Sequence, residues 1–441
     1  MDKLAGQSII DTLLNQFESF EKQLNGQSQS TIHSVRKNAF EFLKGNGFPA
    51  PKDEEYKFTN LTKALEKNID FTSQQASASI SADQVADVKI KNLDAFNCIF
   101  VNGKYTPELS DKIDISGVEV MTFEDASKNN TEALSEYFGK QASIEKDPFI
   151  ALNTAFSQNG IFIKVENNVV VEKPIALHFI GDSSTSQSIY NVRNVLAVGK
   201  SSEVTLLEKF DTIGKEKSFT NVVTEIFVSE NAHPKYYKIE NDTDSAYHVS
   251  NVAVAQTSNS RFTANTIALK GAMVRNNLEI KLNGEGCEAY MNGLYILDGK
   301  THVDNHTVVD HIEPNSYSNE LYKGILNDRS KGVFNGKIFV RQAAQKTNAF
   351  QSNKNILLTD DATINTKPQL EIWADDVKCS HGCTTGQLDK DALFYLQARG
   401  IKRAHARAML LNAFANDVVE NLEIEALQDY VEAIISKRLE V

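Results

Sequence analysis

The chain has 441 residues and a formal net charge of −12, with 46 Lys and Arg against 58 Asp and Glu. Hydrophobic residues make up 41% and charged residues 24%, which excludes an intrinsically disordered or collagen-like chain. The acidic balance provides no attraction to nucleic acid or to an anionic membrane, so we predict neither as a partner. The length favours several domains or one elongated array with caps.

The first residues, MDKLAGQSIIDTLLNQ, lack the apolar stretch of a signal peptide, and nowhere do about 18 uncharged apolar residues run together. We therefore expect a cytoplasmic protein. The cysteines are too few and too scattered for a disulfide framework, so we expect reduced thiols at Cys98, Cys287, Cys379 and Cys383.

Residues 1–145 are predicted to form a helical and mixed amino-terminal domain. Apolar side chains recur three and four positions apart, as on one helix face, at Ile10, Leu13, Leu14, Phe17, Phe20 and Leu24. A second helix is predicted from Thr31, ending near Gly45, Gly47 and Pro49. The run QQASASISADQ, residues 74–84, predicts a flexible polar connector, and we predict no firm element between about 60 and 145.

Residues 146–387 are predicted to be a long all-β region. β-Branched and aromatic runs of five to eight residues recur, as in IFIKVENNVVVEKPIALHFI and GVFNGKIFVR, without a helical period between them. Predicted turns include those at Asn283-Gly284 and Asn335-Gly336. So many strands favour a β-helix, which grows by stacking turns, over a large sandwich, although no strict repeat decides between them.

Residues 388–441 are predicted to form a carboxy-terminal helical domain. Asp389 is a candidate N-cap, and Gly400 is a candidate end for the first helix. Two apolar stripes follow, one at Ala404, Ala408, Leu411, Phe414, Val418 and Leu422, the other at Leu427, Tyr430, Val431, Ile434 and Ile435. Such stripes pack on the β region or on each other, or they offer a face to a partner.

The segment DDVKCSHGC, residues 375–383, carries the candidate chemistry. On a strand, Cys379, His381 and Cys383 face one side, roughly 7 Å apart. Thiolate and imidazole are preferred ligands of zinc and of iron in clusters, but three ligands leave a four-coordinate metal incomplete. The residues alone leave open a labile site, a site completed by another chain, or inert thiols.

His302, Asp304 and His306 alternate in the same way within THVDNHTVVDH. We interpret this row as a wet outer or interface face of the β-helix rather than as a metal site. The chain has no GxxxxGK[ST] or GxGxxG phosphate loop, no GxSxG elbow and no HExxH helix. It is therefore not expected to hydrolyse ATP or to act as an independent hydrolase.

Four segments resemble the SufB/SufD family of the Suf iron-sulfur cluster assembly machinery. They are FPAPKDEEYKFTNL at 48–61, ALNTAFSQNGIFIKVENNVVVEKPIALHF at 151–179, HVDNHTVVDHIEPNSYSNELYKGIL at 302–326, and KTNAFQSNKNILLTDDATINTKPQLEIWADDVKCSHGCTTGQLD at 346–389. The SufB branch lacks KCSHG in the corresponding segment, so the SufD branch is the more similar one.

This resemblance implies a right-handed parallel β-helix flanked by helical domains. It also implies a non-catalytic scaffold that pairs with SufB through the β-helix and carries the SufC ATPase on its carboxy-terminal helices. Cys379 and His381 match the family's Cys and His, which are implicated in a transient iron-sulfur cluster at the SufB interface. Cys383 departs from the family pattern, where a small residue is expected, and it leaves the ligand set open.

Two other functions remain from the residues: a metal- or thiol-dependent enzyme that acts alone through Cys379, His381 and Cys383, and a purely structural solenoid. A homodimer of the isolated chain and a flavin on the assembled complex are further expectations, and neither has residues assigned to it.

Overall fold

The structure, a computed structural model, describes residues 4–24, 30–72 and 80–439. Its helices are α1 (Gln7–Gln23), α2 (Thr31–Asn46), α3 (Leu61–Asn68), α4 (Ala82–Val88), α5 (Phe123–Asn129), α6 (Thr131–Tyr137), α7 (Pro148–Ala155), α8 (Lys390–Ala398), α9 (Arg403–Val419) and α10 (Glu425–Leu439). No helix in these ranges is long and apolar enough to cross a membrane.

The strands fall into two sheets. One contains β1 (Phe96–Val101), β2 (Lys104–Tyr105), β5 (Ile175–Ser183), β7 (Thr205–Gly214), β9 (Lys235–Asn241), β11 (Arg261–Lys270), β13 (Glu288–Leu297), β15 (Tyr317–Leu326), β17 (Thr347–Leu357) and β19 (Val377–Gly386). The other contains β3 (Val118–Thr122), β4 (Ile161–Val165), β6 (Ser188–Val198), β8 (Ser218–Val228), β10 (Ala246–Gln256), β12 (Met273–Leu282), β14 (His302–His311), β16 (Lys331–Val340) and β18 (Thr363–Ile372).

From β4 onward the chain alternates between the sheets, and each strand pairs in parallel with the strand two positions further along. The result is a parallel β-solenoid of about eight turns with helices at both ends of the sequence, which confirms the predicted β-helix. Successive turns differ in length: Tyr247 pairs with Met273, 26 residues on, whereas Phe162 pairs with Val195, 33 residues on. This variation explains why no strict sequence repeat is visible.

Inside the solenoid, alternate side chains of the two sheets form one continuous apolar core. At its amino-terminal end the core is an aromatic stack, in which the ring centroids of Phe100 and Phe179 lie 4.7 Å apart and those of Phe179 and Phe210 lie 5.0 Å apart. Each ring comes from a neighbouring strand, because the parallel register places Phe100, Phe179 and Phe210 directly opposite one another.

The amino-terminal helices cover the outer face of the β3–β18 sheet. Helix α1 buries Ile10, Leu13 and Phe17, as predicted, against α2, α7 and the solenoid. A fully buried ion pair between Arg193 of β6 and Glu225 of β8 fixes this contact. Glu225 also accepts hydrogen bonds from the backbone of residues 139, 141 and 142, so the carboxylate joins the domain to the sheet.

The prediction of no firm element between 60 and 145 was wrong, because short helices and strands occupy much of that stretch. Of the predicted connector, residues 74–79 lie outside the described residues. Its last residues are helical: Ser81 and Gln84 form a reciprocal capping box at the start of α4. The strands β1 and β3 extend the two sheets, and the three-domain division stays a prediction.

The carboxy-terminal helices α9 and α10 cover the outer face of the β2–β19 sheet. Their apolar stripes meet that sheet in one cluster that includes Leu411, Val418, Leu427, Val431 and Ile435, although Ala404 is exposed. The predicted N-cap of α8 is confirmed, since Asp389 Oδ1 accepts from the backbone N–H groups of Asp391 and Ala392 at 2.9 and 3.0 Å.

The predicted turn at Asn335-Gly336 is wrong, since both residues lie inside β16. Gly336 faces the solenoid interior, where a Cβ atom would stand 2.3 Å from Nε2 of Gln351. Glycine is favoured at position 336 because the Gln351 side chain occupies the space of a Cβ atom, and not because of a turn conformation. The predicted turn at Asn283-Gly284 is confirmed, because it separates β12 from β13.

Replacing Phe179 with Ala should lower the free energy of unfolding by about 3–5 kcal/mol, because it leaves a cavity between two stacked rings. Val170→Ala is the matched control: Val170 is 60% exposed, and its truncation should change stability by less than about 0.5 kcal/mol. Chemical denaturation followed by circular dichroism measures both. Equal stability of the two variants would contradict the stacked core.

Candidate functional site

Strand β19 carries the candidate site and is the last strand of its sheet. It pairs in parallel with β17, so that Cys379 lies opposite Ala349, His381 opposite Gln351 and Cys383 opposite Asn353. Within the described ranges no strand pairs with its other edge. The backbone N–H and C=O groups of that edge are therefore available to another chain.

The predicted strand places Cys379, His381 and Cys383 on one face. This face is turned toward the solenoid interior, because the opposite residues on β17 are all buried. Cys379 is half-buried and packs at the edge of a small apolar cluster with Ile338, Val340, Ala344 and Ala349. His381 and Cys383 are exposed, since no further turn of the solenoid covers them.

The three side chains do not form a metal site by themselves. Among the described residues, no group of three or more His, Cys, Asp and Glu side chains is arranged to hold a metal ion. Cys379 packs into an apolar cluster, whereas His381 and Cys383 are exposed, so the three side chains do not converge. The assignment of Cys379, His381 and Cys383 as cluster ligands stays a prediction.

Burial raises the pKa of the Cys379 thiol above its ordinary value, and the backbone N–H of Ala349 only partly offsets this. The thiol is therefore neutral near pH 7. Lys378 and His381 would favour the thiolate and Asp375 and Asp376 would oppose it, but in the structure the half-buried position of the thiol is the largest effect on its pKa.

The second candidate row is not wet. His302, Asp304 and His306 lie on the outer face of β14, but residues 54–60 cover them, and all three are buried. Thr59 Oγ1 contacts His302 Nε2 at 2.8 Å and donates to Asp304 Oδ2 at 2.5 Å. The expectation of a solvated face fails because the amino-terminal segment packs over it.

This buried row is an ion-pair network. The Arg275 guanidinium donates to Asp304 Oδ2 at 2.6 Å, and Asp304 Oδ1 lies 3.0 Å from His306 Nε2. Burial opposes ionisation of Asp304, yet Arg275 and His306 hold its pKa well below the usual range. His306 and Lys337 lower the pKa of Glu55 to about 2 despite its partial desolvation. Arg275, Thr59 and His306 surround the Asp304 carboxylate, so the row joins β14 to the amino-terminal segment 54–60.

Two exposed aromatic features near the site were missed in the sequence. Trp373 follows β18 and is 48% exposed, with its ring stacked on Phe339 and the Arg341 guanidinium carbon 5.1 Å from the ring centroid. Helix α8 leaves Phe394 73% and Tyr395 56% exposed and has no buried residue. The signal for Trp373 was available, because it is the one tryptophan of the chain and lies six residues before Cys379.

These features define a class: a parallel β-solenoid with helical regions over both faces and a Cys-His strand at its open end. Residues 7–177 match the SufBD protein N-terminal region, and residues 179–414 match the SufBD core domain of SUF system FeS cluster assembly.

Similarity to curated proteins extends over nearly the whole chain. An iron-sulfur cluster assembly SufBD family protein of Synechocystis is 31% identical over 429 residues, covering 95% of this chain and 93% of the relative. The iron-sulfur cluster assembly protein SufD of Escherichia coli is 32% identical over 399 residues, covering 90% of each. The SufD of Bacillus subtilis is 24% identical over 423 residues, covering 94% and 95%. The chain belongs to the SufBD family of iron-sulfur cluster assembly proteins.

The raised pKa of Cys379 predicts its reactivity. In a Cys383→Ala background, the alkylation rate of Cys379 should rise with pH to a midpoint above about 8.5, the value of an unperturbed thiol, because burial favours the neutral form. Iodoacetamide labelling followed by mass spectrometry measures it. The Cys379→Ser, Cys383→Ala double variant gives the background from the buried Cys98 and Cys287. A midpoint below 8 would mean that the thiol is activated.

Proposed function

We propose that the chain is a non-catalytic scaffold subunit of the Suf machinery, which pairs with SufB and carries the SufC ATPase while a transient iron-sulfur cluster is assembled. The observation that carries this proposal is the open last turn of the solenoid, where Cys379 and His381 stand on a strand whose outer edge is unpaired within the described ranges. Family membership supports the general role in cluster assembly.

The last turn is suited to strand-to-strand pairing with a second solenoid. Both β18 and β19 are end strands, so each has an unpaired edge within the described ranges. Trp373 stands beside that edge in a fixed orientation, because Arg341 is held by two hydrogen bonds from its guanidinium to Asp310, at 2.7 and 2.8 Å. Rigid, exposed aromatic anchors next to free strand edges favour a protein partner. SufB is the partner that this proposal assigns.

The ligand chemistry explains why a partner is needed. Cluster iron is held by thiolates and, in some centres, by imidazoles, and this chain offers one half-buried thiol and one exposed imidazole on the same face. A partner that covers the open end supplies the remaining ligands and removes water. Iron binding then displaces the proton of the neutral Cys379 thiol. Cys383 adds an optional third ligand.

Cys379→Ser and His381→Ala should each keep the SufB complex but lose most of the iron and sulfide in complexes purified anaerobically from cells, because each removes a soft ligand. Cys383→Ala should be mild. Ser380→Ala is the matched control, since Ser380 lies between the two ligands and points to the opposite face. Wild-type iron and sulfide in both the Cys379 and His381 variants would refute the ligand assignment.

For SufC we propose one part of the carboxy-terminal helices as the docking surface. The stripes of α9 and α10 are buried on their own solenoid, in contact with Ile239, Ile267 and Leu294. They are therefore not free for a partner, and a deletion from Ala404 would uncover this apolar face. Helix α8 instead presents Phe394 and Tyr395 to solvent next to the site. We assign SufC docking to α8.

Phe394→Ala should weaken SufC binding at least about tenfold, because truncating a central aromatic anchor at an interface typically costs 2 kcal/mol or more. Phe58→Ala is the control, since Phe58 is an exposed phenylalanine on the amino-terminal segment, 44% exposed. Calorimetric titration of the full chain with SufC measures both. Unchanged affinity of Phe394→Ala would move the docking site elsewhere.

The alternative, an enzyme that acts alone through Cys379, His381 and Cys383, makes an opposite prediction. It requires turnover by the isolated chain, whereas the scaffold requires SufB and SufC. The neutral Cys379 thiol favours the scaffold, because a catalytic nucleophile needs a lowered pKa. A homodimer of the isolated chain and a flavin on the complex remain predictions without assigned residues.

A further inference from the structure

The interior directly beneath β19 is polar. The inward-facing residues of β17 include three buried amides, Gln351, Asn353 and Asn355. They lie under the strand that carries Cys379 and His381. Earlier turns of the interior also bury polar side chains, and these are bonded to one another: Asn194 donates to Glu208 at 2.8 Å, and Lys238 donates to Ser250 at 3.0 Å. Buried amides are retained where their hydrogen bonds are satisfied or where they serve a site.

Asn353 and Asn355 are satisfied within their own layer. The Asn353 amide donates to the Tyr295 hydroxyl at 3.1 Å and to the Tyr322 carbonyl at 3.2 Å. Its oxygen accepts from Asn355 Nδ2 at 2.7 Å, and Asn355 Oδ1 accepts from Tyr295. These two amides therefore have no group left for β19.

Gln351 differs, because only the NH₂ group of its side-chain amide has a hydrogen-bond partner. Its Nε2 donates to Glu320 Oε2 at 2.8 Å, while its Oε1 is buried and has no hydrogen-bond partner among the described residues. Gly336 on the opposite sheet leaves the space that this side chain occupies. Gln351 therefore carries a buried acceptor that has no partner among the described residues.

The register indicates which group that partner is. Glu320, Gln351 and His381 are opposite one another on β15, β17 and β19, so they form one inward-facing column. Neighbouring strands are about 4.8 Å apart, which is within reach of an imidazole N–H from a glutamine oxygen. Because Glu320 engages Nε2, the amide oxygen is the polar atom of Gln351 without a partner among the described residues, and no hydrogen bond joins it to His381 in this structure.

We propose that Gln351 and Glu320 are positioning residues for His381: Gln351 Oε1 accepts the N–H of one imidazole nitrogen, so that the other nitrogen presents its lone pair to iron. The inference rests on the proposed role of His381 as a ligand. Ligating histidines generally donate their second N–H to an acceptor that fixes tautomer and orientation. Glu320 acts one step further back by fixing the direction of the amide.

The proposal is tested by the tautomer of His381 in the full chain. With ¹⁵N-labelled histidine, the His381 signals are those lost in His381→Ala. We expect one dominant tautomer in the wild type and a mixture, as in free imidazole, in Gln351→Leu. Asn353→Leu is the matched control, a buried amide of the same strand, and should leave the tautomer unchanged. A wild-type tautomer in Gln351→Leu would overturn the proposal.

Two variants of Glu320 test the proposal even if the Gln351→Leu variant does not fold. Burial raises the pKa of Glu320 to about 7, so an uncharged side chain is tolerated there. Glu320→Gln keeps an acceptor oxygen and should retain the wild-type tautomer, whereas Glu320→Leu should release the amide and give the mixture. Identical spectra for these two variants would also overturn the proposal.

Iron and sulfide in the anaerobically purified complex separate this inference from the proposed function. Gln351→Leu should lower cluster content at least threefold, and Asn353→Leu should not. If His381→Ala keeps the wild-type cluster content, the ligand role fails, while the tautomer spectra still decide whether Gln351 positions the imidazole. If His381→Ala loses the cluster and Gln351→Leu keeps it, the positioning role is refuted.

Discussion

The hydrogen-bonded ladder between successive turns is the interaction on which the rest of this structure depends. Each turn satisfies the backbone edge of the turn before it, and the register then stacks like side chains on like, as in the column from Phe100 to Phe210. This ladder of hydrogen bonds ends at the last turn, in β18 and β19. Because no further strand in the described part of the chain pairs with β18 or β19, the last turn keeps a free edge and an open interior, and both belong to the candidate site.

The outer faces of the solenoid are covered in two ways. Over one sheet, the amino-terminal region is held by an apolar cluster and by buried charges, Arg193 with Glu225 and Arg275 with Asp304. Over the other, α9 and α10 are held by an apolar cluster. Buried ion pairs add little net stability, but removing one partner is costly, so they fix the position of a domain. At the open end, His381 and Cys383 of β19 stay exposed.

At the open end, the two candidate ligands, Cys379 and His381, differ in how far they are buried. Cys379 is half-buried and neutral, while His381 is exposed on a layer that contains one unpartnered amide oxygen. Neither residue alone makes a metal site, and a neutral thiol binds iron only as it loses its proton. Iron binding by these two residues therefore depends on a partner that covers the strand. This links the incomplete ligand set to the free strand edge.

Local pattern in the sequence determined the apolar helix faces, the Asp389 cap and the alternation that puts Cys379, His381 and Cys383 on one face, because these depend on neighbours within a few residues. Only the tertiary structure decided that residues 54–60 bury the His302 row, that Phe394 and Tyr395 of α8 are exposed, and that Gly336 makes room for Gln351. Each of these contacts joins residues from different elements, and no periodicity within one element contains that information. Strand order and register supply it, since a column such as Glu320, Gln351 and His381 exists only when turns about 30 residues apart are stacked.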